Sequence, residues 1–180
     1  MLRIADLEFD IISCRLEAYC HTDSMQWDIQ VEANSHPDGK FHGNQPNLSL
    51  SLFKTLPETF QHWRELAPRN VSWVKRSDTD VTPSGMLYIF EHTPIFECHA
   101  QFYDDGSEIQ IELGGKCDVY FDKKYDTNLD LHLDSPVVFQ CVWFGRQTES
   151  DCRKAISPFL NPNNLDYSLT EHGVSILTPK

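Results

Sequence analysis

Asp28-Ile29-Gln30-Val31-Glu32 is repeated, eighty residues later, as Glu108-Ile109-Gln110-Ile111-Glu112. Both stretches alternate polar and apolar residues. In an extended strand the apolar side chains therefore share one face, while the acid, the amide and the second acid share the other. We expect two half-buried strands with similar polar faces.

A second matched pair of strands follows the first. Residues 47–52 and 128–133 each carry three leucines at alternate positions. Other pairs keep nearly the same spacing, among them Leu7 with Leu87 and Glu17 with Glu97. Alternation alone makes any two amphipathic strands look alike, but it does not require matching polar residues. The persistence of order and spacing predicts a tandem duplication.

The remaining patterns predict the fold class. Short alternating segments separated by turn signals such as Asp104-Asp105-Gly106-Ser107 are typical of antiparallel β-sheets. Apolar residues three and four apart predict a short helix at residues 60–67, and another is expected at 149–156. We therefore predict a mainly β protein with an α+β fringe. It would be an antiparallel β-sandwich or barrel built from two similar tandem halves, with two short helices.

The duplication also predicts how the chain is divided. Residues 1–80 would form the first β half-repeat, and residues 81–180 the second, with a helical and loop C-terminal extension. Residues 76–85 are the predicted linker. Because the linker is short and each half alone would bury little surface, we expect one continuous globular unit.

The chain is strongly acidic. It has 27 Asp and Glu against 15 Lys and Arg, a formal net charge of −12. Such a charge repels nucleic acid and anionic membranes and attracts basic partners. The excess is greatest between Glu97 and Asp134, where ten acids stand against three lysines.

The first ten residues and the cysteines indicate the compartment. Charges interrupt residues 1–10 too often for a signal peptide, and no apolar stretch is long enough to span a membrane. We therefore expect a cytoplasmic protein. Its six cysteines form no Cys-x-x-Cys pair, and we expect them to be reduced, buried and structural.

No catalytic motif is present. The chain lacks a Gly-x-Ser-x-Gly elbow, a phosphate-binding glycine loop and a His-Glu-x-x-His helix. In Cys20-His21 and Cys98-His99 the two neighbours would point to opposite faces of a strand, so neither His could activate its Cys. We predict a non-enzymatic protein with no catalytic residues, no cofactor and no metal. The loop containing His36, Asp38 and His42 is too poor in further ligands for a zinc site.

Two other functional classes remain open. A carbohydrate-binding or small-ligand module would use an aromatic platform such as Trp27, Trp63 or Trp73. A glycosidase would use two carboxylates, but residues four apart on a strand are about 13 Å apart, which exceeds the separations that glycoside hydrolysis requires.

The polar stripes fit a protein-binding surface better. Carboxylates around an amide would meet Lys and Arg of a basic protein with long-range steering and bidentate hydrogen bonds. The leading hypothesis is an inhibitor or immunity protein for a basic bacterial toxin, such as a nuclease, or else a chaperone for a secreted effector. The alternative is a solvated face without a partner. The predicted partner-binding residues are Asp28, Gln30, Glu32, Glu108, Gln110, Glu112, Asp130, His132 and Asp134.

Overall fold

A computed structural model describes residues 1–55, 60, 62–74, 83–120, 124–125 and 127–180. The strands in this part of the chain are β1 (Leu2–Ile4), β2 (Leu7–Phe9), β3 (Ile11–Cys20), β4 (Met25–Ala33), β5 (Asn47–Thr55), β6 (Asn70–Trp73), β7 (Ser84–Tyr88), β8 (His92–Asp104), β9 (Ile109–Cys117), β10 (Leu129–Trp143), β11 (Leu165–Leu169) and β12 (Ser175–Pro179). The α-helix α1 covers Glu149–Ile156, and short 3-10 helices cover Lys40–Gly43, Trp63–Leu66 and Pro162–Asn164.

Seven strands close into a β-barrel. The order around the wall is β3, β4, β5, β7, β8, β9 and β10, and β10 returns to β3. Every neighbouring pair in this ring is antiparallel except β10 and β3, which are parallel. The mainly β class and a barrel are thus confirmed, whereas the expectation of a wholly antiparallel wall is wrong at the closure.

The long strand β10 explains this parallel pair. Its first part, up to Val137, pairs antiparallel with β9. From Val138 onward it pairs instead with β3, which runs in the same direction. Strand β8 pairs with β7 through His92–Ile95 and with β9 from Phe96 onward, and its bulge at Glu97, with φ 47°, lies just inside the part paired with β9. Two long, bent strands therefore hold the wall together.

The period-two alternation decides which side chains fill the barrel. Ile29, Val31, Ile109, Ile111 and Leu113 are all essentially inaccessible to solvent. Each is followed or preceded by a polar residue on the outer surface, as a half-buried strand requires.

Aromatic side chains close both ends of the barrel. At one end the ring of Phe41 packs against Phe9, Phe90 and Tyr125. At the other end, Phe139 lies between Trp27 and Trp63, with ring centroids 5.8 and 5.5 Å away respectively.

The other strands lie outside the ring. The β1–β2 hairpin pairs with the first part of β10, β6 pairs with β8, and the β11–β12 hairpin pairs with the end of β10. Helix α1 packs beside β12. In the described residues no helix is long and apolar enough to cross a membrane.

The two predicted helices have different outcomes. The second is confirmed with its predicted bounds, and Thr148 caps it by accepting a hydrogen bond from the Asp151 backbone N–H. The first is reduced to the 3-10 helix Trp63–Leu66. Phe60, where the predicted helix would begin, instead forms a β-bridge with Leu160, and Ala67, where it would end, has extended backbone angles.

The internal duplication stays a prediction. Both copies of the repeated stretch pair antiparallel with their leucine strands. However, Ile29 lies opposite Leu50, whereas Ile109 lies opposite Val137, six residues beyond the equivalent Leu131. The two strand pairs share direction but not register. The predicted boundary after residue 80 and most of the predicted linker lie outside the described residues.

Candidate functional site

Strands β8, β9 and β10 bring most of the predicted residues of the second half onto one outer surface. We call this surface the acidic face. In it Glu112 lies opposite Asp134, and Gln110 lies opposite Pro136. The residues between them on each strand point into the barrel, so the polar side chains necessarily point outward. The acidic face consists of Tyr103, Glu108, Gln110, Glu112, Asp130, His132 and Asp134.

The centre of the acidic face is a pair of like charges. Glu112 and Asp134 are both exposed and are direct cross-strand partners. Within the described residues, no lysine, arginine or histidine forms an ion pair with either carboxylate. Like charges placed directly opposite each other destabilise a sheet by about 0.2–1 kcal/mol. A cation brought by a partner would relieve this repulsion.

Tyr103 stands beside this pair. It lies opposite Gln110 across β8 and β9, and 36% of its surface is exposed. Partial burial raises the pKa of the Tyr103 hydroxyl, and the carboxylates of Asp134 and Glu112 raise it further. An exposed tyrosine within a charged surface is a common anchor in protein interfaces. The sequence prediction missed Tyr103, although alternation along β8 would have placed it outward.

The turn at the edge of the acidic face is held by its own hydrogen bonds. The Asp105 carboxylate accepts from the backbone N–H groups of Glu108 and Ser107, and these bonds hold the pKa of Asp105 well below its ordinary value. The side chain of Gln110 donates to the other carboxylate oxygen at 3.0 Å. The Gln110 side chain therefore stabilises the turn and is less available to contact a partner.

At the opposite edge, Asp130 is already paired. Lys116 lies directly across the strand pair and donates to the Asp130 carboxylate at 2.5 Å. This hydrogen bond holds the pKa of Asp130 below its ordinary value. His132 lies between Gly114 on one side and Arg3 on the other. The carboxylates of the central pair Glu112 and Asp134 have no such lysine partner in the described part of the chain, although the Met1 ammonium donates to the Asp134 backbone carbonyl, so this pair is the part of the face best able to receive a further cation.

The structure does not bring the first stripe to this face. Asp28, Gln30 and Glu32 lie on the outside of β4, and β3 and β10 separate β4 from β9. Glu32 forms an ion pair with Arg15, and the Gln30 amide donates to the Ser49 hydroxyl at 2.9 Å. The side chains of Gln30 and Glu32 are thus engaged in hydrogen bonds and an ion pair with neighbouring strands.

Asp28, which is half-buried, instead belongs to a pair of carboxylates whose other member, Glu17, is buried. It lies opposite Glu17 across β3 and β4, and Glu17 is only 8% exposed. Trp143 Nε1 donates to the Glu17 carboxylate at 3.0 Å, and Gln26 donates to Asp28 at 2.9 Å. Burial raises the pKa of Asp28, and the charge of Glu17 adds to the rise. Because β3 and β4 are joined by a short turn after Cys20, Glu17 and Asp28 are expected to lie opposite each other. This pairing could therefore have been predicted from the sequence.

The predicted aromatic platforms differ in accessibility. Trp27 is fully buried and cannot be a platform. The Trp73 indole N–H donates to the Ile95 carbonyl at 2.7 Å, which fixes its ring in the wall. Trp63 is partly exposed and borders a pocket, where its ring could contact a ligand.

The other sequence candidates do not assemble into reactive groups. Cys98 is buried and His99 is exposed, so they point to opposite sides of β8 as expected. In the loop of His36 and His42, both rings pack against phenylalanines. No three His, Cys, Asp or Glu side chains of the described part could jointly hold a metal ion.

Comparison with known proteins finds no relative of this chain. The sequence matches no protein-family model and no curated protein, and no solved structure matches the chain.

Proposed function

We propose that the chain is a non-enzymatic binding protein whose acidic face receives a basic protein partner. The observation that carries the proposal is the exposed, directly opposed pair of Glu112 and Asp134, to which no basic side chain of the described residues is ion-paired. A lysine or arginine of the partner would neutralise two repelling carboxylates at once.

The surroundings of this pair support the same function. Tyr103 provides an aromatic contact next to the carboxylates, and aromatic residues often dominate the energy of an interface. The net charge of −12 would steer a basic partner toward the chain from a distance. Glu108, which is exposed beside the hairpin turn, extends the acidic rim.

In its most concrete form, the proposal is an inhibitor or immunity protein for a basic toxin. A nuclease must hold a polyanion in a basic cleft, and a compact acidic face can occupy such a cleft in place of the nucleic acid. The β4 stripe, which is used within its own sheet, is not part of this proposed surface. This narrows the working residues to Tyr103, Glu108, Glu112, His132 and Asp134.

The test is capture of a partner from the source lysate by the immobilised chain, at about 20 mM and about 500 mM salt, with the bound proteins identified by mass. We expect one basic protein that is retained at low salt and weakened at high salt. A Glu112→Lys and Asp134→Lys double variant should lose it. If the partner is a nuclease, the wild-type chain should also inhibit its cleavage of nucleic acid.

The matched control is the double variant Glu91→Lys and Glu171→Lys. Both residues are exposed and lie in turns outside the acidic face, and the control changes the net charge by the same amount. If both variants lose the partner equally, overall charge and not the pair Glu112 and Asp134 determines binding. Capture of no basic protein at either salt concentration would refute the proposal.

A further inference from the structure

A pocket of about 240 Å³ opens at the end of the barrel that Trp63 helps to close. It lies between the 3-10 helix Trp63–Leu66, the β10 residue Phe139, and the segment that leads from Leu160 into β11. The β12 residue Pro179 contributes to its wall. The pocket is separate from the acidic face and would function independently of it.

One wall of the pocket is aromatic and already packed into the core. The Trp63 and Phe139 ring centroids are 5.5 Å apart with a tilt of 39°. Phe139 in turn packs against Trp27, which is fully buried. Because the core holds these rings in place, a flat ligand would find a prepared surface and little ordering would be needed on binding.

Polar groups stand around this aromatic wall. The His62 Nδ1 accepts a hydrogen bond from the Arg64 backbone N–H at 3.1 Å, so in the neutral ring Nε2 carries the hydrogen and can donate. The His62 backbone N–H is itself bonded to Glu65, which fixes the residue. Lys180 also lines the pocket, and its ammonium group lies 4.0 Å from the Asp166 carboxylate.

Two asparagines complete the polar set. Asn161 and Asn164 both line the pocket, and a side-chain amide has donors as well as acceptors. The Asn161 side-chain oxygen accepts from the Asn163 backbone N–H at 3.0 Å, which orients this amide. None of the described residues that line the pocket is an Asp or Glu, although the chain has 27.

We propose that this pocket binds a single neutral pyranose ring. A cavity of roughly 150 Å³ holds benzene, so 240 Å³ accommodates a six-membered ring with its hydroxyl substituents. A sugar ring has an apolar face that can lie on Trp63, and its hydroxyls both donate and accept. An aromatic carboxylate would also fit the aromatic wall, but the Lys180 ammonium that would bind it already lies 4.0 Å from the Asp166 carboxylate.

The experiment is ligand-observed NMR of the whole chain with the methyl glycosides of glucose, galactose, mannose and N-acetylglucosamine. Benzoate and phenol serve as comparison ligands. We expect at least one glycoside to bind with a dissociation constant of about 1–10 mM, which is typical of a ligand of this size. Trp63→Leu should weaken it about tenfold or more, because the flat ring is lost. Asn164→Ala should weaken it by a smaller factor.

The control variant is Lys40→Gln, which lies at the opposite end of the barrel and should leave binding unchanged. Thermal unfolding of each variant shows whether it is folded. If Trp63→Leu does not fold, the binding of glycosides by Asn164→Ala tests the proposal. Binding of benzoate or phenol in preference to every glycoside would overturn the proposal. So would the absence of any glycoside signal at about 50 mM, or sugar binding that both pocket variants retain.

Discussion

Glu112 and Asp134 face each other directly across β9 and β10, and both carboxylates are exposed. A cross-strand pair of like charges weakens the sheet that contains it. Residues that cost stability in the isolated protein often have a role in its function. The same two residues should therefore have opposite effects on folding and on partner binding.

Glu112→Gln should stabilise the isolated chain. Removing one of the two opposed charges is expected to raise the free energy of unfolding by about 0.2–1 kcal/mol at low salt. The gain should shrink at about 500 mM salt, because salt screens exposed charges. Urea unfolding at the two salt concentrations measures both effects. Glu91→Gln, a change at an exposed turn acid, is the control and should alter stability much less. A lower stability of Glu112→Gln at low salt would contradict the repulsion.

Gly115 should tolerate alanine less well than its neighbour Gly114. A Cβ at Gly115 would lie 3.3 Å from the Phe96 carbonyl oxygen and 3.4 Å from Cys98, because the bulge in β8 brings its backbone close. A Cβ at Gly114 would have no atom within 4 Å. We expect Gly115→Ala to cost about 1 kcal/mol, and Gly114→Ala to change stability by no more than about 0.5 kcal/mol. Chemical denaturation of both variants measures the difference, and equal effects would show that β8 relaxes around the added methyl group.

Features that depend on neighbouring residues could be predicted from the sequence. The helix Glu149–Ile156 follows from an N-capping Thr148 and acids in the first turn, all within one short stretch. Alternation correctly placed Ile29 and Ile111 inside and Glu112 outside. These features need only the local chain and the period of a strand.

Features that depend on closure of the ring could not be predicted. No local pattern shows that β10 leaves β9 at Val137 and joins β3 in parallel. That closure decides that the stripe around Gln30 lies away from the stripe around Gln110. The inward position of Trp27 also depends on it, since Trp27 packs against Phe139 of β10. Long-range strand order sets these relationships, and two similar strands can occupy very different places in a sheet.

The cysteines should react slowly while the protein is folded. Burial raises the pKa of the partly exposed Cys20 thiol to about 11, which leaves it roughly a hundredfold less reactive at pH 8 than an ordinary exposed thiol. It should nevertheless be alkylated first by iodoacetamide. The buried thiols should react only as the chain unfolds, and peptide mapping by mass spectrometry gives the order. These are Cys14, Cys98, Cys117, Cys141 and Cys152.

Rapid alkylation of Cys14 in the folded protein would contradict this order. Burial raises its pKa to about 12, and its side chain lies in the hydrophobic core. The positive control is the same reaction in urea, where all six thiols should be modified at similar rates.

Asp28→Asn should stabilise the chain at neutral pH but not in acid. Burial raises the pKa of Asp28 above its ordinary value of 3.8, and the opposed Glu17 adds to the rise. Between 3.8 and the raised value the folded chain binds more protons than the unfolded chain, so this residue lowers stability as the pH rises through that window. Above the window the full cost of the half-buried charge is present. Below 3.8 Asp28 is protonated in both states, and the cost is absent.

Urea unfolding at pH 3, 5 and 7 measures this dependence. The variant should exceed the wild type at pH 7, and the difference should disappear by pH 3, because the amide oxygen that replaces the carboxylate can still accept the hydrogen bond from Gln26. Glu32→Gln is the matched control on the same strand. It removes the carboxylate that pairs with Arg15, so it should not stabilise the chain at pH 7. If Asp28→Asn instead lowers stability equally at pH 3 and pH 7, hydrogen bonding rather than charge determines the contribution of Asp28 to the fold.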